Sequence, residues 1–205
     1  MSAQKVPLPL SLFTVDDFFR LVRGDHKADL IDGVIYMASP DTPRNDRIAY
    51  LVRFLIQGYA RVKGLGQTTG PRVAYVLSDR RALEPDVAFV ARDRRHILQE
   101  SHGVGAPDIA VEIVSADSVA GDYMEKKHLY EEAGVREYWL IDPLQNRAEF
   151  HRLLDRHYVL VPLEHNRLFR SEVLPGFWLD VQWLLADPLP DEFDCLQQIL
   201  AGNPA

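Results

Sequence analysis

Glu112 is the residue of this chain that most needs a chemical explanation. It lies in Pro107-Asp108-Ile109-Ala110-Val111-Glu112-Ile113-Val114-Ser115, where the stretch Ile109 to Val114 is otherwise apolar. Strand alternation puts Ile109, Val111 and Ile113 on one face and Ala110, Glu112 and Val114 on the other. With both faces apolar, the strand reads as central and doubly covered. A lone carboxylate there costs several kcal/mol or gives up its charge unless a cation compensates it. Asp86 repeats the anomaly, standing directly ahead of Val87-Ala88-Phe89-Val90 in the segment that begins Glu84-Pro85. On neighbouring strands the two acids would make an oxygen-rich site suited to a hard cation such as Mg²⁺ or Mn²⁺. Asp29, in Ala28-Asp29-Leu30-Ile31, is a third acid available to it.

The segment Tyr123-Met124-Glu125-Lys126-Lys127-His128-Leu129-Tyr130 supplies a candidate cation. On a helix, Lys126 and Tyr130 share one face, and Ala133 and Gly134 continue that stripe. An inward Lys126 beside Glu112 would relieve the buried charge. It would also complete the mixture for metal-assisted phosphodiester hydrolysis. In that scheme acids hold the metal, the metal lowers the pKa of a water, and the lysine steadies that water or the developing phosphorane charge. Plainer readings stand beside these: a buried ion pair for Glu112, a strand-start residue for Asp86, a solvated helix lysine for Lys126. Ser115 reads either as support for the site or as a strand-to-helix turn residue. Arg92, Arg94, Arg95 and His96 form the densest basic cluster, either a solvated loop or a phosphate contact.

Several elements must position these groups. Thr14 with Asp17 marks a capped short helix ending at Gly24. Asp32-Gly33 between two apolar stretches marks a hairpin. Apolar residues at 48, 51, 52, 55, 56 and 59 predict an amphipathic helix over 47–62, stopping at Gly64. Strands are expected at 72–77, 86–91, 108–114, 135–141, 147–154 and 157–163, with an irregular stretch at 92–106. Asp117 to Ala133 is helical in composition and ends at Gly134. A short helix is expected after Asp180 and a terminal one over 190–200. The whole reads as a single α/β domain with a mixed sheet over 14–187, a lead-in over 1–13 and a C-terminal tail or helix over 188–205.

Composition sets the outer bounds. The 205 residues are 47% hydrophobic and 26% charged, enough for one proper core. The single Cys195 excludes a disulfide framework and a Cys-based zinc site. No apolar run approaches the ~20 residues of a membrane span, no secretory signal is evident, and a reduced, cytoplasmic setting is expected. No P-loop, dinucleotide fingerprint, His-Glu-x-x-His helix or Gly-x-Ser-x-Gly elbow is present. The net charge of −7 argues against nucleic-acid binding through bulk positive charge. A metal site must gather acids, however, and is partly neutralised when its cation arrives. DNA contact needs only a local basic face, so weak, salt-sensitive, metal-dependent binding is expected.

The ordered set Ala28-Asp29-Leu30-Ile31-Asp32-Gly33, Pro85-Asp86-Val87, Pro107 to Ser115, Lys126-Lys127-His128-Leu129-Tyr130 and Gly134 to Asp142 resembles the Uma-type restriction endonuclease family, within the PD-(D/E)XK nuclease superfamily. The resemblance spans about Thr14 to Leu185. It implies a restriction-endonuclease-like fold, a mixed sheet flanked by helices with the site on two adjacent strands. Asp86 matches the aspartate of the Pro-Asp element, and Glu112 the acid of the Glu-x-Lys element. Val114 stands where the superfamily places its lysine, and Lys126 matches the position to which this family has moved it. Asp29 stands where relatives carry a glutamate, while Asn45 and Asp46 stand where relatives often carry a histidine. The implied activity is a Mg²⁺- or Mn²⁺-dependent endonuclease acting on DNA. Asp86 and Glu112 would bind the metal, with Lys126 and Asp29 as further catalytic groups and Ser115, Tyr130, Arg92, Arg94 and Arg95 in support. The alternatives are an inactive nuclease fold kept as a binding or interaction module, or a nuclease for another phosphate substrate such as RNA. A homodimer is open under any of these.

Overall fold

The computed structural model describes residues 12–22, 26–116 and 121–202. Thr14 and Asp17 exchange reciprocal hydrogen bonds, so α1 (Val15–Leu21) opens in a capping box. The expected stop at Gly24 lies outside the described residues. β1 (Ala28–Ile31) and β2 (Val34–Met37) form the expected hairpin. Asp32 and Gly33 adopt φ values of 47° and 83°, the left-handed pair that a two-residue connection requires. α2 (Pro43–Lys63) starts a turn earlier than its apolar spacing indicates, because Thr42 caps it and Pro43 fits the first turn.

The chain continues through β3 (Gly66–Thr69), β4 (Tyr75–Ser78), β5 (Arg81–Leu83), β6 (Val87–Ala91), β7 (Gly103–Val104) and β8 (Ile109–Ile113). A π-helical turn, Gly121–Lys126, runs into α3 (Lys127–Ala133), which Gly134 ends at φ 83°. Part of the expected helix, 117–120, lies outside the described residues. β9 (Glu137–Asp142), β10 (Arg147–Leu154), β11 (His157–Leu160), β12 (Leu168–Arg170) and β13 (Trp178–Asp180) follow. α4 (Val181–Leu185) and α5 (Glu192–Ala201) close the chain.

The strands make three sheets, ordered β2-β1-β5-β4-β7, β11-β10-β9-β8-β6-β3 and β12-β13. The six-stranded sheet is mixed: β8 runs parallel to β9 and antiparallel to β6. β8 is buried along its whole length, as its two apolar faces require. Ile109, Val111 and Ile113 join Ile48, Leu51 and Leu55 of α2 in the main core, while Ala110 and Val114 pack beneath Leu129 and Tyr130 of α3. Each fully buried Leu or Ile contributes about 1.5–3 kcal/mol of transfer energy, so β8 is fixed from both sides. Cys195 and Ile199 of α5 belong to that same main core.

Three departures from the expected elements have physical reasons. β3 is Gly66-Gln67-Thr68-Thr69, with no apolar alternation, and exists through pairing with β6. β4 starts late because Arg72 has a left-handed backbone, φ 68°. The stretch 92–106 is in fact ordered, as a 3₁₀ turn (Arg92–Ile97) followed by β7. The link from β5 to β6 joins the two large sheets through Glu84-Pro85-Asp86. Its residues therefore stand at the seam where β1 of one sheet faces β6 and β8 of the other.

Candidate active site

Strand register brings the two strand acids together. β6 and β8 pair Val87 with Val111, so one step further along the same antiparallel register places Asp86 beside Glu112. Asp86 Oδ2 accepts the Ile113 N–H at 2.7 Å, which ties its carboxylate to β8. Asn45, at the start of α2, donates to the Val114 carbonyl at 3.2 Å and anchors the end of the same strand.

Glu112 is 1% exposed, yet its carboxylate is well supplied with partners. Its Oε1 accepts the Tyr130 hydroxyl at 2.9 Å, and its Oε2 lies 3.2 Å from Lys126 Nζ. Lys126 and Tyr130 meet the same carboxylate because they lie one helical turn apart. Lys126 Nζ also lies 3.0 Å from Asp29 Oδ2 on β1. The other oxygen of Asp29 accepts the Glu84 N–H at 2.8 Å, and Glu84 Oε2 accepts the Ala28 N–H at 3.1 Å, which fastens β1 to the seam. Lys27 completes the cluster, with Nζ 2.5 Å from Asp86 Oδ1 and 4.0 Å from Glu112 Oε2.

Lys27, Asp29, Asp86, Glu112 and Lys126 line one cavity of about 210 Å³, to which Ser115, Tyr36, Met37 and Asp41 also contribute. Burial pulls the Lys27 ammonium toward deprotonation, but Asp86 and then Glu112 outweigh it and hold its pKa above the ordinary lysine value. Burial also pushes the Glu84 carboxyl up to about 7, against the Ala28 N–H and with the nearby Asp29 charge. The Tyr130 hydroxyl is held well above its usual range by burial and by the Glu112 charge, so it remains a donor. Asp41 is raised as well, through burial and the proximity of Asp86.

The donors turned toward the cavity are carboxylate oxygens, the ligand type of Mg²⁺ and Mn²⁺. Mg²⁺ commonly takes one or two carboxylates and completes its shell with waters and substrate phosphate. Asp86 and Glu112 already share one cation, the Lys27 ammonium, so the pair suits a hard cation. Among the described residues, no group of three or more His, Cys, Asp or Glu side chains is arranged to hold a metal ion.

A family model described as "Uma2: Putative restriction endonuclease" matches residues 15–182. The chain belongs to the Uma2 family. The fold is also that of a crystal structure described as a putative nuclease belonging to DUF820 from Anabaena variabilis ATCC 29413. The two share a TM-score of 0.70 and 17% sequence identity, over 84% of this chain and 97% of that one. No curated protein matches this chain.

In this Uma2 chain, Asp29, Asp86, Glu112, Lys126 and Ser115 line the same cavity, and Tyr130 reaches it only through its hydrogen bond to Glu112. The basic cluster does not join them. Arg92, Arg94 and Arg95 lie on the 3₁₀ turn outside the cavity lining, and Arg94 is engaged by Asp108 at 3.0 Å and by the Ala106 carbonyl at 2.8 Å. Lys27 is the group that motif reading missed. Its signal was period two: Lys27, Asp29 and Ile31 fall on one side of β1, and all three line the cavity. Asp41 carried no signal, since only the return of the chain after β2 brings it to the cavity.

Proposed function

We propose that this Uma2 protein is a Mg²⁺-dependent endonuclease that hydrolyses phosphodiester bonds in DNA. The observation that carries this reading is the convergence of Asp86, Glu112 and Lys126 in one cavity. Asp86 and Glu112 are the residues that would hold Mg²⁺ or Mn²⁺, which supplies an acidified water and charge compensation at the phosphate. Lys126 orients the attacking water or donates to a non-bridging phosphate oxygen as charge develops there. Asp29, 3.0 Å from Lys126 Nζ, holds that side chain beside Glu112. Tyr130 and the Ile113 N–H fix the two carboxylates, and such outer contacts hold ligands in their productive orientation.

Nicking of supercoiled plasmid DNA, with and without Mg²⁺ or Mn²⁺, tests the reading. Wild type should nick only with metal, and Glu112→Gln and Asp86→Asn should be inert while remaining folded. Identical DNA loss by wild type and Glu112→Gln would sink it. Cleavage of RNA in place of DNA would keep the chemistry and change the substrate. One observation favours a non-enzymatic binding module: the acids are already compensated by two lysines. Calorimetry with Mn²⁺ separates the readings, because a module of that kind shows no binding that depends on Asp86 and Glu112.

A further inference from the structure

We propose that Lys27 is a built-in counter-ion standing where the divalent cation would bind, and that its ammonium must leave the two carboxylates when metal enters. The inference rests on the metal-site reading above. Its basis is which oxygens are engaged. Asp86 Oδ2 is held by the Ile113 N–H and Glu112 Oε1 by the Tyr130 hydroxyl. The opposite oxygens, Asp86 Oδ1 and Glu112 Oε2, lie 2.5 and 4.0 Å from Lys27 Nζ, and Glu112 Oε2 is also held by Lys126 Nζ at 3.2 Å. The Lys27 ammonium therefore stands against both carboxylates that would hold a metal.

An ammonium and a divalent ion at such separations repel strongly, the more so in a site largely shielded from water. Lys126 is held by Asp29 Oδ2 at 3.0 Å as well as by Glu112, whereas Lys27 is the cation on Asp86 Oδ1, so Lys27 is the one that must yield. It has somewhere to go. Its side chain also lines an adjoining cleft of about 290 Å³, shared with His26, Ser39, Asp41 and Arg72. Lys27 borders both spaces, and its unbranched stem is flexible. Without metal, Lys27 spares the fold a pair of uncompensated buried carboxylates. With metal, the same charge moves to the cleft beside the site.

The test is a Mn²⁺ titration by calorimetry of the metal-free full chain, comparing wild type, Lys27→Met and Asp86→Asn. Lys27→Met should bind Mn²⁺ about tenfold more tightly than wild type, because the like charge that opposes the incoming cation is gone. Equal or weaker binding by folded Lys27→Met would overturn the inference while leaving the metal site intact, provided Asp86→Asn abolishes binding. Absence of binding in wild type and Lys27→Met alike would instead remove the underlying reading. A wild-type measurement covers the case in which Lys27→Met fails to fold. Labelling by an amine-reactive ester, read by peptide mass, should rise at Lys27 on adding Mn²⁺. Unchanged or reduced labelling there would count against displacement.

Discussion

Lys126 Nζ lies 3.2 Å from Glu112 Oε2, joining the start of α3 to the buried carboxylate within the central strand. The contact is at once the ion pair that makes Glu112 tolerable in an apolar strand and the pairing that a metal-assisted hydrolase needs. A buried ion pair of this kind is weak evidence for stability by itself, because desolvation offsets much of the attraction. Its position, open to a cavity and next to a second carboxylate, is what points to chemistry.

Lys126→Met is expected to slow plasmid nicking by about 10²-fold or more, the loss typical of a single donor to developing charge. Asp29→Asn, which removes only the partner aiming that lysine, should cost about tenfold. Initial nicking rates at saturating Mg²⁺ check both. An Asp29→Asn loss as large as that of Lys126→Met would give Asp29 a direct role.

Tyr130→Phe leaves Glu112 Oε1 without its hydroxyl donor while preserving the ring packing on Tyr138. A buried acceptor deprived of its partner costs about 1–3 kcal/mol, readable by urea unfolding. Mn²⁺ affinity should fall with it, since the carboxylate is then less firmly oriented. Unchanged stability and affinity together would show that the hydroxyl is not holding Glu112.

Glu84 gives a pH dependence whose sign follows from its raised pKa. The folded carboxyl titrates near 7 against an ordinary 4.5, so the folded chain holds the proton more tightly than the unfolded one. The resulting stability is present in full below about 4.5 and is lost as pH rises through about 7. Glu84→Gln should remove this dependence, making the protein more stable than wild type at pH 8 by on the order of 2 kcal/mol after allowing for solvent screening. Thermal melts at pH 5 and pH 8 measure it, and an equal Tm difference at both would refute it.

Arg94→Ala separates architecture from phosphate contact. Asp108 is fully buried and accepts from the Ala91 N–H at 2.8 Å and from Arg94 at 3.0 Å, with Arg136 at 3.7 Å. Removing the partly exposed Arg94 should cost about 2 kcal/mol, less than for a fully buried pair. Nicking rate per folded molecule and its salt dependence should stay unchanged. A flattened salt slope would return the basic cluster to a role on DNA.

Much of the site was legible in sequence because burial makes charge conspicuous. Glu112 in an apolar strand, Asp86 ahead of another, and Lys126 one turn from Tyr130 are anomalies that local periodicity alone exposes. The hairpin at Asp32-Gly33, the capping box at Thr14 and the Gly64 and Gly134 helix ends were readable for the same reason, since each is a contact between near neighbours in the chain. Period two puts Lys27 on the side of Asp29 but does not name its partners. A lysine before a strand is ordinary, and only the meeting of β1 with β6 and β8 sets its ammonium between Asp86 and Glu112. The basic cluster shows the opposite case: its charge density was plain, but tertiary packing sets it outside the cavity and turns Arg94 toward Asp108. Polar β3 likewise took its form from β6. Local chemistry thus determined which residues were exceptional, and long-range strand pairing decided which of them share a cavity, because register and sheet contact depend on partners distant in the chain.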